Sequence, residues 1–467
     1  MRKALAILAA SALTLHLVAA GPAAAQEEAP SVSISNVRLA LMQLVTATGD
    51  RAGPSLSPGS GAGSERAIYL QAGSTTLRAL AAEVAGTDTP GALVRDGDTV
   101  TATLPIVVLQ GAELTVGEGT RLVLDRAAGT FLLSFGRTSI SGAEIASGPQ
   151  TDETNQDDAT PVRPFLAGVG QGSLSVQDST LSGLGYGEET YSAGVSLSGR
   201  GLFRGGDAAP MTGNTFRDLR GVVFSGVDAP VVENNTFESA RGTALRLSDG
   251  AGGAVRDNTF AGTAGDHALQ VSNVAGLEIA RNTFRNGAGK AVRVDDASRD
   301  VTLTENFATG FGGTAFTVAE GARCTRLSYN VVTGNDGGGI RADTAGALIL
   351  DGNVIADNAG PGISIAAQPS DASALVVHNT LQDNMSGIRG TGLAEVRLAR
   401  NDLSAQLPRI LSGDLDQLTP TYLRAARDAA DARADIEIKG VSASPARALR
   451  RNAAESAFDA CSQGAPA

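Results

Sequence analysis

The chain of 467 residues carries 37 Lys and Arg against 49 Asp and Glu, a formal charge of −12 at pH 7, with 58 glycines, no tryptophan and 4% aromatic residues. Such a balance disfavours general nucleic-acid binding, which needs phosphate neutralisation. The length would ordinarily mean two or three domains, but so much glycine and so few aromatics suit many short strands with tight turns rather than a large aromatic core.

At the start, Arg2 and Lys3 precede an apolar run, Ala4 to Ala20, that ends in Gly21-Pro22-Ala23-Ala24-Ala25. A charged start, a hydrophobic stretch and small residues at a cleavage position predict a signal peptide over residues 1–25. The run is marginal in length for a bilayer span and contains His16, which disfavours a permanent anchor. Cleavage would leave 35 basic against 49 acidic residues, or −14. The expectation is a periplasmic or secreted protein with no membrane span after signal cleavage.

Residues 26–100 are expected to be an N-terminal capping region. "NVRLALMQLVTA" and "TTLRALAAEVAG" have amphipathic helical or mixed patterns, suited to covering the first coil of a stacked sheet, because an open sheet end exposes unpaired edges.

The middle of the chain is a repeat. Asn214, Asn235, Asn258, Asn282, Asn306, Asn330, Asn353, Asn379 and Asn401 are spaced by 21, 23, 24, 24, 24, 23, 26 and 22 residues. Fixed-period self-similarity of this length signals a solenoid. Between the asparagines lie two short runs with period-2 alternation, such as "AVRV" then "DVTLTEN", which read as strands. The prediction is an all-β, single-stranded right-handed parallel β-helix over residues 101–411, about 22–24 residues per coil. An amide carries both donor and acceptor, so identical asparagines at one corner can bond along a stack whose rungs lie ~4.8 Å apart. The residue two places later, often Phe, is expected inside.

The same alternation predicts which side chains face out. In "ALRL" Leu245 and Leu247 point inward and Arg246 outward. Coil by coil, that outward place is expected to hold Phe224, Arg246, Gln270, Arg293, Thr317, Arg341, Ser364 and Arg389. His267 and Lys290 should be neighbours on adjacent coils. Basic chains are common on exposed sheet, but guanidinium forks also suit carboxylates. Without tryptophan, a sugar-stacking face would have to come from Phe224, Tyr186 or Tyr191.

Two insertions interrupt the coils, Ser147–Pro161 and Gly199–Pro210. The first is acidic, but its spacing fits no EF-hand loop, so calcium is unsupported and no cofactor or metal is expected. Residues 412–467 are expected to form a C-terminal helical cap or tail, with a helix beginning near Thr419-Pro420. A second short helix is possible in "SPARALRRNAAESAFDAC", and Arg447–Arg451 reads as a solvated face. Cys324 and Cys461 could pair after export, but spacing leaves that open.

The chain also resembles a known family, the periplasmic mannuronan C5-epimerases of alginate biosynthesis. The resemblance rests on "TATLPIVVLQGAELTVGEGTRLVLDRAAGTFLLSFGRTSISGAEI" (Thr101 to Ile145), "RPFL" (Arg163 to Leu166), "LGY" (Leu184 to Tyr186), "YSAGVSLS" (Tyr191 to Ser198) and the repeats, over roughly residues 65–400. It implies a polyuronate substrate and chemistry at C5, which needs a cation for the carboxylate, a base and a second proton donor. The family's Asp-Pro-His-Asp tetrad falls on Arg246-Leu247-Ser248-Asp249, so only Asp249 is retained and Ser248 replaces the histidine base. His267 matches a family histidine, whereas Asn273 stands where the family has arginine.

These readings lead to one preferred expectation: an exported β-helix that binds or processes an anionic, uronate-containing exopolysaccharide through a degenerate epimerase-like site. The substrate-binding candidates are Arg246, Asp249, Gln270, Arg293, Arg341 and Phe224. An active epimerase or lyase with a rearranged site would use His267, Lys290 and Arg293. A solenoid that engages other proteins is the third option. The expected partner is an acidic polysaccharide, with other exopolysaccharide biosynthesis or export proteins as further partners.

Overall fold

Each short alternating run buries one side and stacks on the run one repeat earlier. The structure, a computed structural model, describes residues 29–49, 65–148, 163–170, 172–187, 189–199, 210–428, 435–439 and 442–445. It is a right-handed parallel β-solenoid, as the repeat predicts. One turn shows the pattern. Leu245–Ser248 lies in a first sheet, Ala254–Arg256 in a second and Thr259–Ala261 in a third, and His267–Ser272 re-enters the first. Rung stacking starts at Arg66–Thr76, which pairs in parallel with Ile106–Val108 and Ala112–Val116, ahead of the expected boundary at residue 101.

Asparagine forms the corner between the second and third sheets. Asn258 Nδ2 donates to Asn282 Oδ1 at 3.0 Å and to the Val232 carbonyl at 2.9 Å, and its backbone N–H donates to the same Oδ1 at 3.0 Å. The pattern recurs from Asn214 to Asn379 and ends on Asn401, all of them buried. The residue before each ladder asparagine is left-handed. Asn234, Asp257, Arg281, Glu305, Tyr329, His378 and Arg400 have φ between 51° and 57°, and Gly213 and Gly352 fill the other two places. A non-glycine residue gives up ~1–2 kcal/mol there, which the satisfied amides of the corner offset. Behind the corner, Phe216, Phe237, Phe260 and Phe284 stack with centroids 5.0, 4.5 and 4.8 Å apart.

A second, unpredicted ladder runs through Asn335, Asn358, Asn384 and Gln406 at the corner between the third and first sheets.

The ends are closed in different ways. The helix Leu77–Ala85 is capped by Thr76, whose Oγ1 accepts from the Ala79 N–H at 3.2 Å. It seats Leu77, Leu80 and Val84 in the mouth of the core. The other N-terminal helix, Arg38–Thr48, does not cover the coil end. Its Ala40 and Leu44 pack instead on the outside of the first sheet, in one cluster with Tyr69, Val107, Leu133 and Phe165. At the far end the helix Thr419–Asp428 starts where expected and buries Tyr422 and Ala426. The strand Ile436–Lys439 pairs antiparallel with Glu395–Ala399, which blunts the last edge of the second sheet.

Cys324 is buried and disulfide-bonded. Cys461, residues 1–25 read as a signal peptide, the stretch Arg447–Arg451 and nearly all of both insertions lie outside the described residues. Among the described residues, no helix is long and apolar enough to cross a membrane, and no group of three or more His, Cys, Asp or Glu side chains is placed to hold a metal.

Candidate functional site

The outer face of the first sheet changes character along the stack. Its first rungs present Tyr69, Val107, Leu133 and Ala167 in register, and this apolar strip is buried in the cluster that includes the helix Arg38–Thr48. The same register then runs through Ser196, Val223, Arg246, Gln270, Arg293, Thr317, Arg341, Ser364 and Arg389. From Arg246 onward the strip is polar. At ~4.8 Å per rung, Arg246 and Arg341 are about 19 Å apart.

Phe224 is not in this row. It is in register with Leu247 and is 1% exposed, and Val223 takes the outward place. The expected ligand contact of Phe224 is therefore corrected to a core role. The strand Gly221–Ser225 is buried throughout, and two adjacent apolar residues give alternation no phase. Tyr186 and Tyr191 are buried too, grouped with Phe165, so neither presents a face for stacking a sugar.

The structure brings His267 and Lys290 together in register, one rung apart, beside Gln270 and Arg293. His267 is 9% exposed, and its Nε2 is buried with no hydrogen-bond partner. Burial, then the charges of Lys290 and Arg293, push its pKa down to about 4, against the weaker pull of Asp266 and Asp295. The imidazole is neutral at neutral pH.

Asp295 is the hub of the next layer. It is 2% exposed and accepts from Arg293 Nε, from Ser272 Oγ at 2.5 Å and from Gln270 Nε2 at 3.4 Å. Arg293 Nη2 also donates to Glu320 Oε1. Burial alone would lower the pKa of Arg293, but its bonds to Asp295 and Glu320 outweigh that and raise it. Arg341 is paired with Asp343, Nη2 to Oδ2 at 2.6 Å. Asp249 lies in the turn after Leu245–Ser248, with φ 59°, and accepts from Asn273 Nδ2 at 3.0 Å. The Ser248 hydroxyl donates to Ser225 at 3.3 Å.

Beside the row, at the turn entering the first sheet, is a recess of about 250 Å³ lined in part by Arg220, Arg241, Thr243, Arg246 and Asp266. Of these, the sequence reading places only Arg246 at a site. Arg220-Gly221 and Arg241-Gly242, the same dipeptide 21 residues apart, are the legible sign of the others. Chemically the face offers fixed guanidinium groups and an imidazole that can accept or donate one hydrogen bond.

A family model described as a right handed beta helix region matches residues 168–325 and 300–403, together just over half of the chain. No curated protein matches the sequence. Among solved structures, the crystal structure of the periplasmic alginate epimerase AlgG is similar with a TM-score of 0.61 at 18% identity, over 84% of this chain and 94% of that one. A single-substitution mutant of that enzyme gives 0.64 at 19% identity, over 87% and 99%. At such identity the likeness establishes the shared fold.

Proposed function

The chain belongs to the right-handed β-helix family, and on that premise we propose that it is an exported protein whose first-sheet face binds an anionic, uronate-containing exopolysaccharide. The supporting observation is the unbroken register Arg246, Gln270, Arg293, Thr317, Arg341 on a face that is polar from Arg246 onward. A linear row of donors suits a linear ligand, and the guanidinium fork matches carboxylates. The similar AlgG structures are those of an alginate epimerase, which points to the same substrate class. Proteins that make or export such a polymer are the natural partners.

The site favours holding the polymer over turning it over. A general base works best with a pKa near the operating pH, and His267 at about 4 is far below it. Its imidazole suits a sugar hydroxyl as hydrogen-bond partner. Arg293, held cationic by two carboxylates, is no base either. By the resemblance to the mannuronan C5-epimerases, Ser248 falls where their tetrad histidine would stand, which supports a degenerate constellation.

Affinity electrophoresis of the protein in gels containing polymannuronate, polygalacturonate or neutral mannan tests the binding. Retardation by a polyuronate and not by mannan is expected, and equal mobility in all three would reject the proposal. The register of His267 against Lys290 keeps a second reading, an active epimerase or lyase. Deuterium at C5, or unsaturated chain ends, after incubation of polymannuronate in heavy water would establish it.

A further inference from the structure

The outer face of the third sheet, away from the first-sheet row, changes partway along the stack. Its leading outward place holds Thr215, Thr236, Thr259 and Thr283 on four successive rungs. Phe307, Val331 and Val354 take that place on the next three, and threonine returns at Thr380. The second outward place on the same three rungs holds Thr309, Thr333 and Ala356, where earlier rungs include Arg217, Glu238 and Arg285. Three rungs of this sheet are thus uncharged on their outer face. Phe307, Val331 and Val354 are 37%, 38% and 43% exposed. With Tyr329 they make four of the five exposed large apolar side chains among the described residues between 210 and 400, so they form a patch and not a scatter.

Tyr329 stands at the corner beside this strip, two residues before Val331. It is 60% exposed and has φ 57°, a left-handed place that asparagine or glycine fills at lower cost. Its backbone N–H donates to the Asp351 carbonyl at 3.0 Å. A Cβ on Gly352 would meet two of its ring carbons at 2.7 Å, so the ring leans along the stack onto a bare Cα. At the rim, Asp351 Oδ1 is bonded to His378 Nδ1 at 3.1 Å, and both side chains are partly open to solvent. The patch is therefore apolar in the middle with hydrogen-bonding groups at its edge. Two rung spacings, about 10 Å, separate Phe307 from Val354, which makes the strip on the order of 100–200 Å². That is far short of the ~800 Å² each partner of a stable protein complex buries, and it fits one or two sugar rings.

We propose that this strip is a stacking platform for a neutral glycan whose ring faces carry only C–H bonds, the chemistry of a β-linked glucan. Tyr329 supplies an aromatic body with a polar tip, Phe307, Val331 and Val354 continue the apolar floor, and Asp351 with His378 meets ring hydroxyls at the edge. Mannose, with an axial hydroxyl at C2, presents a less even face, and an anionic chain finds no cation at these outward places. The platform is on another side of the solenoid from the first-sheet row and does not rest on the polyuronate reading.

Saturation-transfer NMR of the full chain with cellohexaose tests it, together with iodide quenching of tyrosine fluorescence. The chain has no tryptophan, and its other four tyrosines, Tyr69, Tyr186, Tyr191 and Tyr422, are buried, so quenching by iodide reports Tyr329. Cellohexaose should receive saturation and shield Tyr329 from iodide, and β-mannohexaose should do so only at several-fold higher concentration. Tyr329→Asn should weaken cellohexaose binding about tenfold, the scale of one aromatic contact. Asparagine stands at the equivalent corner as Asn234, so the variant suits the backbone there. Phe307→Thr with Val331→Thr, which restores the residue of the preceding rungs, should weaken binding as well and answers the question even if the corner variant misfolds. No transfer from the wild type to cellohexaose, or equal transfer from the wild type and the folded variants, overturns the platform. Either result leaves the first-sheet reading to its own test in polyuronate gels.

Discussion

His267 shows how burial decides what an imidazole can do. Its folded pKa of about 4 lies below the ordinary 6.5, so between those values the unfolded chain binds the proton and the folded one does not. The stability contributed by keeping this ring neutral is complete above pH 6.5, declines as pH falls, and is spent near pH 4. The full effect is on the order of 3 kcal/mol. Urea midpoints of wild type and His267→Gln, measured from pH 7 to pH 4, should therefore fall more steeply in the wild type. Parallel slopes would mean that the ring protonates freely. Asp295 makes a second prediction. Asp295→Asn breaks the buried pairing with Arg293 and weakens the bond from Ser272, and it should cost about 2–3 kcal/mol in the same assay. At this scale the sequence is legible wherever alternation has a phase. Arg246, Gln270, Arg293 and Arg341 fall in one register because polar and apolar residues alternate around them, whereas Val223-Phe224 offers two apolar neighbours and alternation puts Phe224 on the wrong side.

Among the elements, the asparagine corner is the one the sequence shows best. Its donors leave no slack. Asn258 gives both its side-chain N–H and its backbone N–H to Asn282 Oδ1. Asn282→Ala strands those two buried donors and should destabilise the solenoid by about 2–4 kcal/mol, seen as a lower urea midpoint. Glu305→Gly, at a left-handed position, should do the opposite by about 1 kcal/mol. An unchanged or lower midpoint would show that side-chain contacts outweigh backbone strain there. The second ladder has a signal too, since Asn335, Asn358 and Asn384 sit at a constant offset of five from the first series, but three asparagines make a short run beside the nine of the longer series. The helix Arg38–Thr48 is legible as an element, but its seat is not. An amphipathic pattern says that a face is buried and not against what. The apolar outward residues Tyr69, Val107 and Leu133 supply the answer only once the rungs are in register.

Over the whole molecule, one face is set apart by what covers it. The first sheet is roofed at its start by a helix and then presents polar rungs, with Arg293 and Arg341 paired to carboxylates, and the other faces carry cross-rung ion pairs such as Arg256 with Glu233 and Glu278, and Arg217 with Glu238. Such exposed pairs add little stability. The recess at Arg220, Arg241 and Arg246 shows in the sequence only as a repeated Arg-Gly dipeptide, because most of its walls come from turns, where spacing has no strict period. Polymer binding led by charges on the first-sheet face should weaken as salt is raised. Arginine-selective labelling with phenylglyoxal, read by mass spectrometry with and without polymannuronate, tests the central claim most directly. Polymer should slow modification of Arg246 and leave Arg281 and Arg217 on the other faces unchanged. Labelling of Arg246 that ignores the polymer, or equal protection on every face, would contradict the account.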